Sequence, residues 1–259
     1  MHLVIPDTHN YHGDDTSRIG YLATYISQIK PEVIVIMGDW FDMNSINRFD
    51  KTGSLKKEGA KIALDLKAGL NALSDLLKPI RELNQELQSK KKKQYKPRII
   101  FTEGNHEIRL STFIDQNPVL EGLLTPIEEL ITENPYLPIE YIRYGDFIEV
   151  GKILYTHILF NGGRPISGRI NTCGDALKLV DKSVIFCHTH RLEWKQFKRM
   201  GSNKLITALN GGCFVENEPE YMYGSHPNWW SGVVKIYPDG KGNFDIETVS
   251  LQTLRNFYG

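Results

Sequence analysis

The sequence predicts an α/β fold with a ligand site at the C-terminal ends of its strands. Three observations predict it. Six short apolar runs rich in valine and isoleucine recur along the 259 residues, with helical periods between the first of them, the pattern of buried strands joined by helices. The runs are followed by Asp, Asn or His, and in open α/β sheets the crevice outside the strand ends is where ligands bind. Hydrophobic residues make up 41% and charged residues 24% of the chain, the balance of a globular protein with the length to bury a core.

Taken in order, His2–Pro6 forms the first strand and leads into Asp7-Thr8-His9. Ser17–Lys30 places Ile19, Leu22, Tyr25, Ile26 and Ile29 on one helical face, and Pro31 stops it. Glu32–Met37 is the second strand, followed by Gly38-Asp39-Trp40-Phe41-Asp42. Residues 54–89 carry Leu55, Ile62, Leu66, Leu70, Leu73, Leu77, Ile80, Leu83 and Leu87 at near-helical spacing, a long helix kinked or broken near Pro79. Arg98–Phe101 is the third strand and runs into Glu103-Gly104-Asn105-His106-Glu107.

The acidic segment 115–149 contains Pro118, Pro126, Pro135 and Pro138 and reads as short helices and loops. Phe147–Val150 and Lys152–Tyr155 flank Gly151 as a hairpin, with Thr156-His157 after it. Ser183–Phe186 leads into Cys187-His188-Thr189-His190, and Leu205–Leu209 into Asn210-Gly211-Gly212. Val233–Tyr237 and Phe244–Val249 enclose the Gly-rich turn Pro238–Gly242, a second hairpin. No repeat or compositional shift divides the chain, so the expectation is a single domain over residues 1–259, with a helical insertion at about 51–97 and a C-terminal hairpin at about 232–250.

Basic and acidic residues both number 31, which excludes a generally basic nucleic-acid coat protein and an acidic disordered tail. The balance is uneven, because residues 51–98 hold 13 basic against 5 acidic side chains, a local excess of +8. No apolar run approaches the ~18–20 residues of a membrane span. The N-terminus lacks the charged and apolar regions of a signal peptide. Three cysteines (Cys173, Cys187, Cys213) without a CxxC pair fit a reducing compartment. A cytoplasmic location and no membrane partner are the expectation.

Five of the eight histidines (His9, His106, His157, His188, His190) stand in the segments that follow strands, together with Asp7, Asp39, Asp42 and Asn105. Independent core histidines have no reason to share one edge of a sheet. Nitrogen and oxygen donors without cysteine suit Mn²⁺, Zn²⁺ or Fe²⁺. Seven candidate ligands, Asp7, His9, Asp39, Asn105, His157, His188 and His190, exceed one ion and suit two ions sharing a carboxylate, an arrangement in which metal-bound water or hydroxide attacks at neutral pH.

In this order, Asp7-x-His9, Gly38-Asp39-x-x-Asp42, Gly104-Asn105-His106-Glu107, His157 and His188-x-His190 resemble the five signature blocks of the calcineurin-like metallophosphoesterases. The blocks are most similar to those of the compact phage and bacterial type, and they span the chain from residue 4 to about 212. The resemblance implies a four-layer α-β-β-α sandwich of two mixed β-sheets flanked by helices. It implies that Asp7, His9, Asp39 and His190 hold one metal, that Asp39 bridges, and that Asn105, His157 and His188 complete the second. Two divalent ions are implied, Mn²⁺ ahead of Zn²⁺, Fe²⁺ or Ni²⁺. His106 is implied as general acid or transition-state stabiliser, oriented by Asp42.

The implied activity is hydrolysis of phosphomonoesters or phosphodiesters by a metal-bound hydroxide, with a phosphate ester as partner and nucleotides or nucleic acids among the candidates. Met43-Asn44 stand where protein phosphatases carry an Arg-Gly that grips phosphate, which argues against a phosphoprotein substrate. Cys187 and Ile158 replace glycines usual in the last two blocks. A nuclease using the same site is the alternative suggested by the +8 segment and by Lys195, Lys198 and Arg199. A non-catalytic scaffold is the third reading, against which stands the complete ligand set.

Other residues carry weaker signals. Glu107 reads as an ordinary ion pair at a helix start, and Arg109 equally as that or as a phosphate contact. Trp40 and Phe41 read as core more readily than as a base-stacking wall. His12 reads as a loop residue, and His226, within Tyr221–Trp230, as part of the packing of a long C-terminal loop.

Overall fold

Residue alternation along the first strands sorts side chains into two cores. The computed structural model describes residues 1–48, 59–134, 137–167, 171–201, 204–216 and 228–259. Leu55, Pro135 and His226 lie outside the described residues, as does part of the expected helical insertion. In chain order the elements are β1 (His2–Ile5), α1 (Ser17–Ile29), β2 (Val33–Ile36), α2 (Ile62–Ser89), β3 (Arg98–Thr102), α3 (Ile108–Gln116) and α4 (Ile127–Thr132). There follow β4 (Ile139–Ile142), β5 (Ile148–Val150), β6 (Ile153–Tyr155), β7 (Phe160–Asn161), β8 (Arg164–Pro165), α5 (Thr172–Leu179) and β9 (Ser183–Phe186). The chain continues with β10 (Leu192–Lys198), β11 (Leu205–Gly211), β12 (Gly232–Pro238), β13 (Phe244–Ser250) and α6 (Leu251–Tyr258).

One sheet has the order β13-β12-β1-β2-β3-β4, with β1 to β4 parallel and β12 and β13 added antiparallel. The second has the order β10-β11-β9-β6-β5, parallel in β6, β9 and β11 and antiparallel at both edges. Val4, Val35 and Ile100 of the first sheet pack on Ile153, Tyr155, Ile185 and Leu209 of the second. His2 Nδ1 meets the Tyr155 hydroxyl across this gap at 2.7 Å. The alternate residues Leu3, Ile5, Ile34, Ile36 and Phe101 pack with the buried faces of α1 and α2. On the far side Val184, Phe186, Ile206 and Ala208 are covered by Cys173, Ala176 and Leu177 of α5. The result is the expected four layers, helix, sheet, sheet, helix.

The six expected strands are β1, β2, β3, β6, β9 and β11, and both hairpins form, as β5–β6 and β12–β13. Of the expected kink or break at Pro79, the break does not occur, because α2 runs through it. Pro79 removes the bond to the Asp75 carbonyl. Leu73, Leu76 and Leu77 before it and Ile80 after it are all buried in one core. At about 1.5–3 kcal/mol for each such side chain, that burial outweighs the roughly 3 kcal/mol penalty of a helical proline.

Segment 115–149 was expected to hold helices and loops, yet Ile139–Ile142 joins the first sheet as an edge strand parallel to β3. Its Ile139 is buried, and Glu140 receives two hydrogen bonds from Arg98, at 2.6 and 2.7 Å. Further elements escape sequence reading, among them α5, the short β7–β8 pair, β10 and α6. β10 is an exposed edge strand ordered by pairing with β11. α6 is capped by Ser250, whose hydroxyl accepts from the Thr253 amide. Among the described residues no helix is long and apolar enough to cross a membrane.

Candidate metal centre

The carboxyl ends of both sets of parallel strands meet at one rim. β1 delivers Asp7 and His9, β2 Asp39 and Asp42, and β3 Asn105 and His106, while β6 delivers His157 and β9 His188 and His190. The loops are tied together by their backbones: His9 N donates to Asp39 O at 2.8 Å, Cys187 N to His157 O at 3.0 Å and Phe214 N to Asp7 O at 2.8 Å. Four of these residues hold left-handed backbone, with φ of 48° at His9, 48° at Asp39, 74° at His188 and 60° at His190. Such conformations cost of order 1–3 kcal/mol and persist where the surroundings enforce them.

All seven side chains singled out by spacing converge. Asp7, His9 and His190 place one donor atom each within 4.8 Å of one another, as do Asp39, His157 and His188. His190 Nε2 is 3.1 Å from Asp7 Oδ2 and 3.1 Å from His9 Nε2. Asp39 Oδ2 stands between the groups, 3.9 Å from His9 Nε2 and 3.5 Å from His157 Nε2. Asn105 Oδ1 is 3.2 Å from His157 Nε2.

The chemistry of this donor set fits a cation. His157 Nδ1 donates to the Met37 carbonyl at 2.6 Å, so Nε2 of a neutral ring points its lone pair at the oxygens of Asn105 and Asp39. Asp7 Oδ1, His188 Nδ1 and His190 Nδ1 are buried without a hydrogen-bond partner. Acceptors facing acceptors repel unless positive charge lies between them; a proton on His157 supplies part of it and divalent ions supply all of it. Burial opposes ionisation of Asp39, but the surrounding histidines, His157 foremost, hold its carboxyl well below the usual range. Burial lowers His9, and lowers His188 to about 4, keeping both rings in the neutral form that coordinates metal. His157 is raised against its burial by Asp39 and Asp7.

Asp42 binds two rings. Its Oδ1 lies 3.0 Å from His106 Nδ1 and 3.0 Å from His9 Nδ1. Arg109 Nη1 donates to the Asp42 carbonyl at 2.9 Å, and Nη2 lies 2.9 Å from His106 Nε2. Burial lowers the His106 pKa, but the Asp39 charge and the Asp42 bond prevail and raise it to about 9. A protonated ring has no lone pair for Arg109, so this contact belongs to the neutral form and the guanidinium must leave Nε2 when the ring is charged.

The ion-pair reading of Glu107 is corrected. Its side chain is fully buried and accepts from three backbone amides, Asp39 N at 2.9 Å, Phe41 N at 2.8 Å and Gly104 N at 2.9 Å. Its pKa is pushed up to about 7 by burial and by Asp39. Trp40 and Phe41 are core residues at 0% exposure, and His12 is an exposed loop residue. Cys173, Cys187 and Cys213 are buried and form no disulfide among the described residues. Lys195 and Arg199 are engaged locally, by Asn171 Oδ1 and the Leu177 carbonyl.

Sequence reading missed two contributors. Arg18, 2% exposed, pairs with Asp14 at 2.6 Å and donates to the carbonyls of Thr8, Asp15 and Phe214, so it shapes the loop carrying Asp7 and His9. A charge in register with Leu22, Tyr25 and Ile29 on the apolar face of α1 was its signal. Trp229 sets its ring edge against His190, centroids 4.2 Å apart, with no local signal. Glycine is needed at 104: a Cβ there would lie 2.2 Å from Asp39 Oδ1 and 2.3 Å from Asp39 N. Gly104→Ala is therefore expected to displace Asp39 and destabilise the protein by about 3 kcal/mol. Thermal unfolding with and without Mn²⁺ checks this, and a wild-type metal-dependent rise in Tm would show that Asp39 stays in place.

A four-layer sandwich with an Asp/His/Asn cluster on the carboxyl rim of both sheets defines a class of α/β proteins built to hold divalent metal. The chain belongs to the calcineurin-like phosphoesterase family, which matches residues 3–243. It is similar to the gene 54 protein of Mycobacterium phage L5, 24% identical over 246 residues, covering 92% of this chain and 89% of the phage protein. The gene 54 protein of Mycobacterium phage D29 is likewise 24% identical, over 247 residues, with the same coverage. Among solved structures, wild-type Vps29 complexed with Zn²⁺ from Entamoeba histolytica covers 96% of this chain and 98% of its own, at 12% identity and a TM-score of 0.41.

Proposed function

We propose that the protein is a dinuclear metal-dependent phosphoesterase that hydrolyses phosphomonoesters or phosphodiesters. The observation that carries this reading is the convergence of acceptor atoms from Asp7, His9, Asp39, Asn105, His157, His188 and His190 beside the His106–Asp42 pair. In this reading Asp7, His9, Asp39 and His190 hold one ion, Asn105, His157 and His188 hold the other, and Asp39 serves both, with Mn²⁺ the first candidate. When bound, the ions supply Lewis acidity at a phosphoryl oxygen and generate the attacking nucleophile from water.

The chain's own residues do the rest. Asp42, on Nδ1 of His106 at 3.0 Å, orients the ring, and Nε2, once the Arg109 guanidinium has moved off it, is the atom that gives its proton to the leaving oxygen. The same carboxylate holds His9 Nδ1 at 3.0 Å, so the orientation of a proposed metal ligand and of the proton donor is set by one group.

Protein stripped with chelator and then given Mn²⁺ is expected to bind two ions per chain by elemental analysis and to hydrolyse bis(4-nitrophenyl) phosphate only when loaded. His106→Ala is expected to lower kcat by about 10²–10⁴-fold with metal content unchanged. Turnover that survives exhaustive chelation would overturn the metal mechanism. Two bound ions without turnover of any phosphate ester would favour the scaffold.

A further inference from the structure

Five of the six segments that follow the buried strands furnish the proposed centre. The sixth, Asn210-Gly211-Gly212 at the end of β11, furnishes none of its seven ligands, yet Asn210 is fully buried. Its side-chain amide donates to two hydroxyls, Thr172 Oγ1 at 3.1 Å and Thr189 Oγ1. Thr172 in turn donates to Glu193 Oε2 at 2.6 Å. A carboxylate only accepts, so Thr172 spends its one hydrogen on Glu193 and must accept from residue 210, which fixes the NH₂ side of the amide toward both threonines. Asn210 Oδ1 is left buried with no hydrogen-bond partner among the described residues, a cost that an apolar side chain at this position would avoid.

Thr189 is the residue between His188 and His190, which belong to different ligand groups. Both neighbours hold left-handed backbone, with φ of 74° and 60°, a conformation that persists where the surroundings enforce it. The backbone is anchored on either side of Thr189, by His188 N on Asp7 Oδ2 at 2.9 Å and by Trp230 N on the His190 carbonyl at 2.9 Å. Its side chain is anchored by Asn210. We propose that Asn210 is a positioning residue of the metal centre, which through the Thr189 hydroxyl fixes the turn from His188 to His190 and so keeps the two rings at the spacing of two ions. The inference rests on the dinuclear reading above. The mount is rigid: Ala208–Asn210 of β11 pairs in parallel with Val184–Phe186 of β9, the strand that carries the loop, and Thr172 opens α5. The chain Glu193–Thr172–Asn210–Thr189 thus ties β10, α5 and β11 to the histidine turn, as outer partners hold metal ligands in general.

Calorimetric titration of chelator-treated protein with Mn²⁺, and electron paramagnetic resonance of the loaded protein, test this. Wild type is expected to bind two ions and to give the exchange-coupled spectrum of a close pair. Thr189→Val keeps the shape and removes the hydroxyl; it is expected to weaken Mn²⁺ binding about 10–100-fold and, at saturating Mn²⁺, to weaken the coupling, whereas Thr189→Ser retains both. Asn210→Ala is expected to match Thr189→Val, and the double variant to lose no more than either single one, because the two share one bond. Ser183→Ala, which removes buried bonds to the Gly242 carbonyl and the Thr207 amide in the same sheet, is the control: a lower Tm with Mn²⁺ affinity unchanged. Wild-type affinity and coupling in Thr189→Val, or additive losses in the double variant, overturn the proposal. An equal loss of affinity in Ser183→Ala makes Asn210 a general stabiliser and overturns it too. Wild-type protein that binds fewer than two ions overturns the dinuclear reading instead, and the positioning role with it.

Discussion

Asp39→Ala is expected to lower phosphoester turnover by at least on the order of 10³-fold and to reduce the Mn²⁺ bound per chain. Asp39 is 1% exposed, and its Oδ2 faces His157 Nε2 at 3.5 Å, His9 Nε2 at 3.9 Å and His106 Nε2 at 4.0 Å. Removing it takes the negative charge from the point between the two ligand groups. What remains there is the imidazoles and Asp7, with one negative charge fewer to offset a divalent ion. A loss of about 4 kcal/mol in transition-state stabilisation corresponds to the 10³-fold effect.

Asp39→Asn separates charge from shape. Its amide oxygen can keep the 2.9 Å bond from His106 N, so a deficit shared by Asn and Ala reports the charge. Steady-state kinetics and elemental analysis of both variants check the expectation. Wild-type turnover in Asp39→Ala would remove Asp39 from the reaction.

The second large effect is on folding. Glu107→Ala is expected to destabilise the protein by about 4 kcal/mol, because it leaves the amides of Asp39, Phe41 and Gly104 buried without an acceptor. For a chain of this size that corresponds to a fall in Tm of about 10 °C. Glu107→Gln keeps one oxygen and turns an NH₂ towards the remaining amide, so a smaller loss, about 2 kcal/mol, is expected. Differential scanning calorimetry distinguishes the three proteins, and a Tm for Glu107→Ala within about 2 °C of wild type would show that the three amides find other partners. The carboxylate joins the loops after β2 and β3, so metal retention is expected to fall in parallel.

Glu107 also shows where sequence reading stops. Its place directly after Gly104-Asn105-His106 is consistent with a surface pair at the start of α3, and nothing local indicates that the side chain turns inward to collect amides from residues 39 and 41. Pro79 is the complementary case. The local rule for proline predicts a break, and burial of Leu76, Leu77 and Ile80 on one core holds α2 continuous. β4 and β10 were missed for a related reason: with Pro138 before one and mostly polar, exposed residues in the other, their strand character comes from the ladders of β3 and β11 beside them.

By itself the sequence determined the buried strands of both sheets, the two hairpins, and the placing of Asp, Asn and His directly after the strands. It could do so because a strand covered on both faces must be apolar along its length, and because metal chemistry draws on few residue types, so both are written locally. Only the tertiary structure decided that the strand ends of two separate sheets share one rim, that Asp39 stands between two histidine groups, and that Arg18 and Glu107 hold the loops from below. These are meetings through space between residues from about 60 to 200 positions apart, and no local period or spacing encodes them.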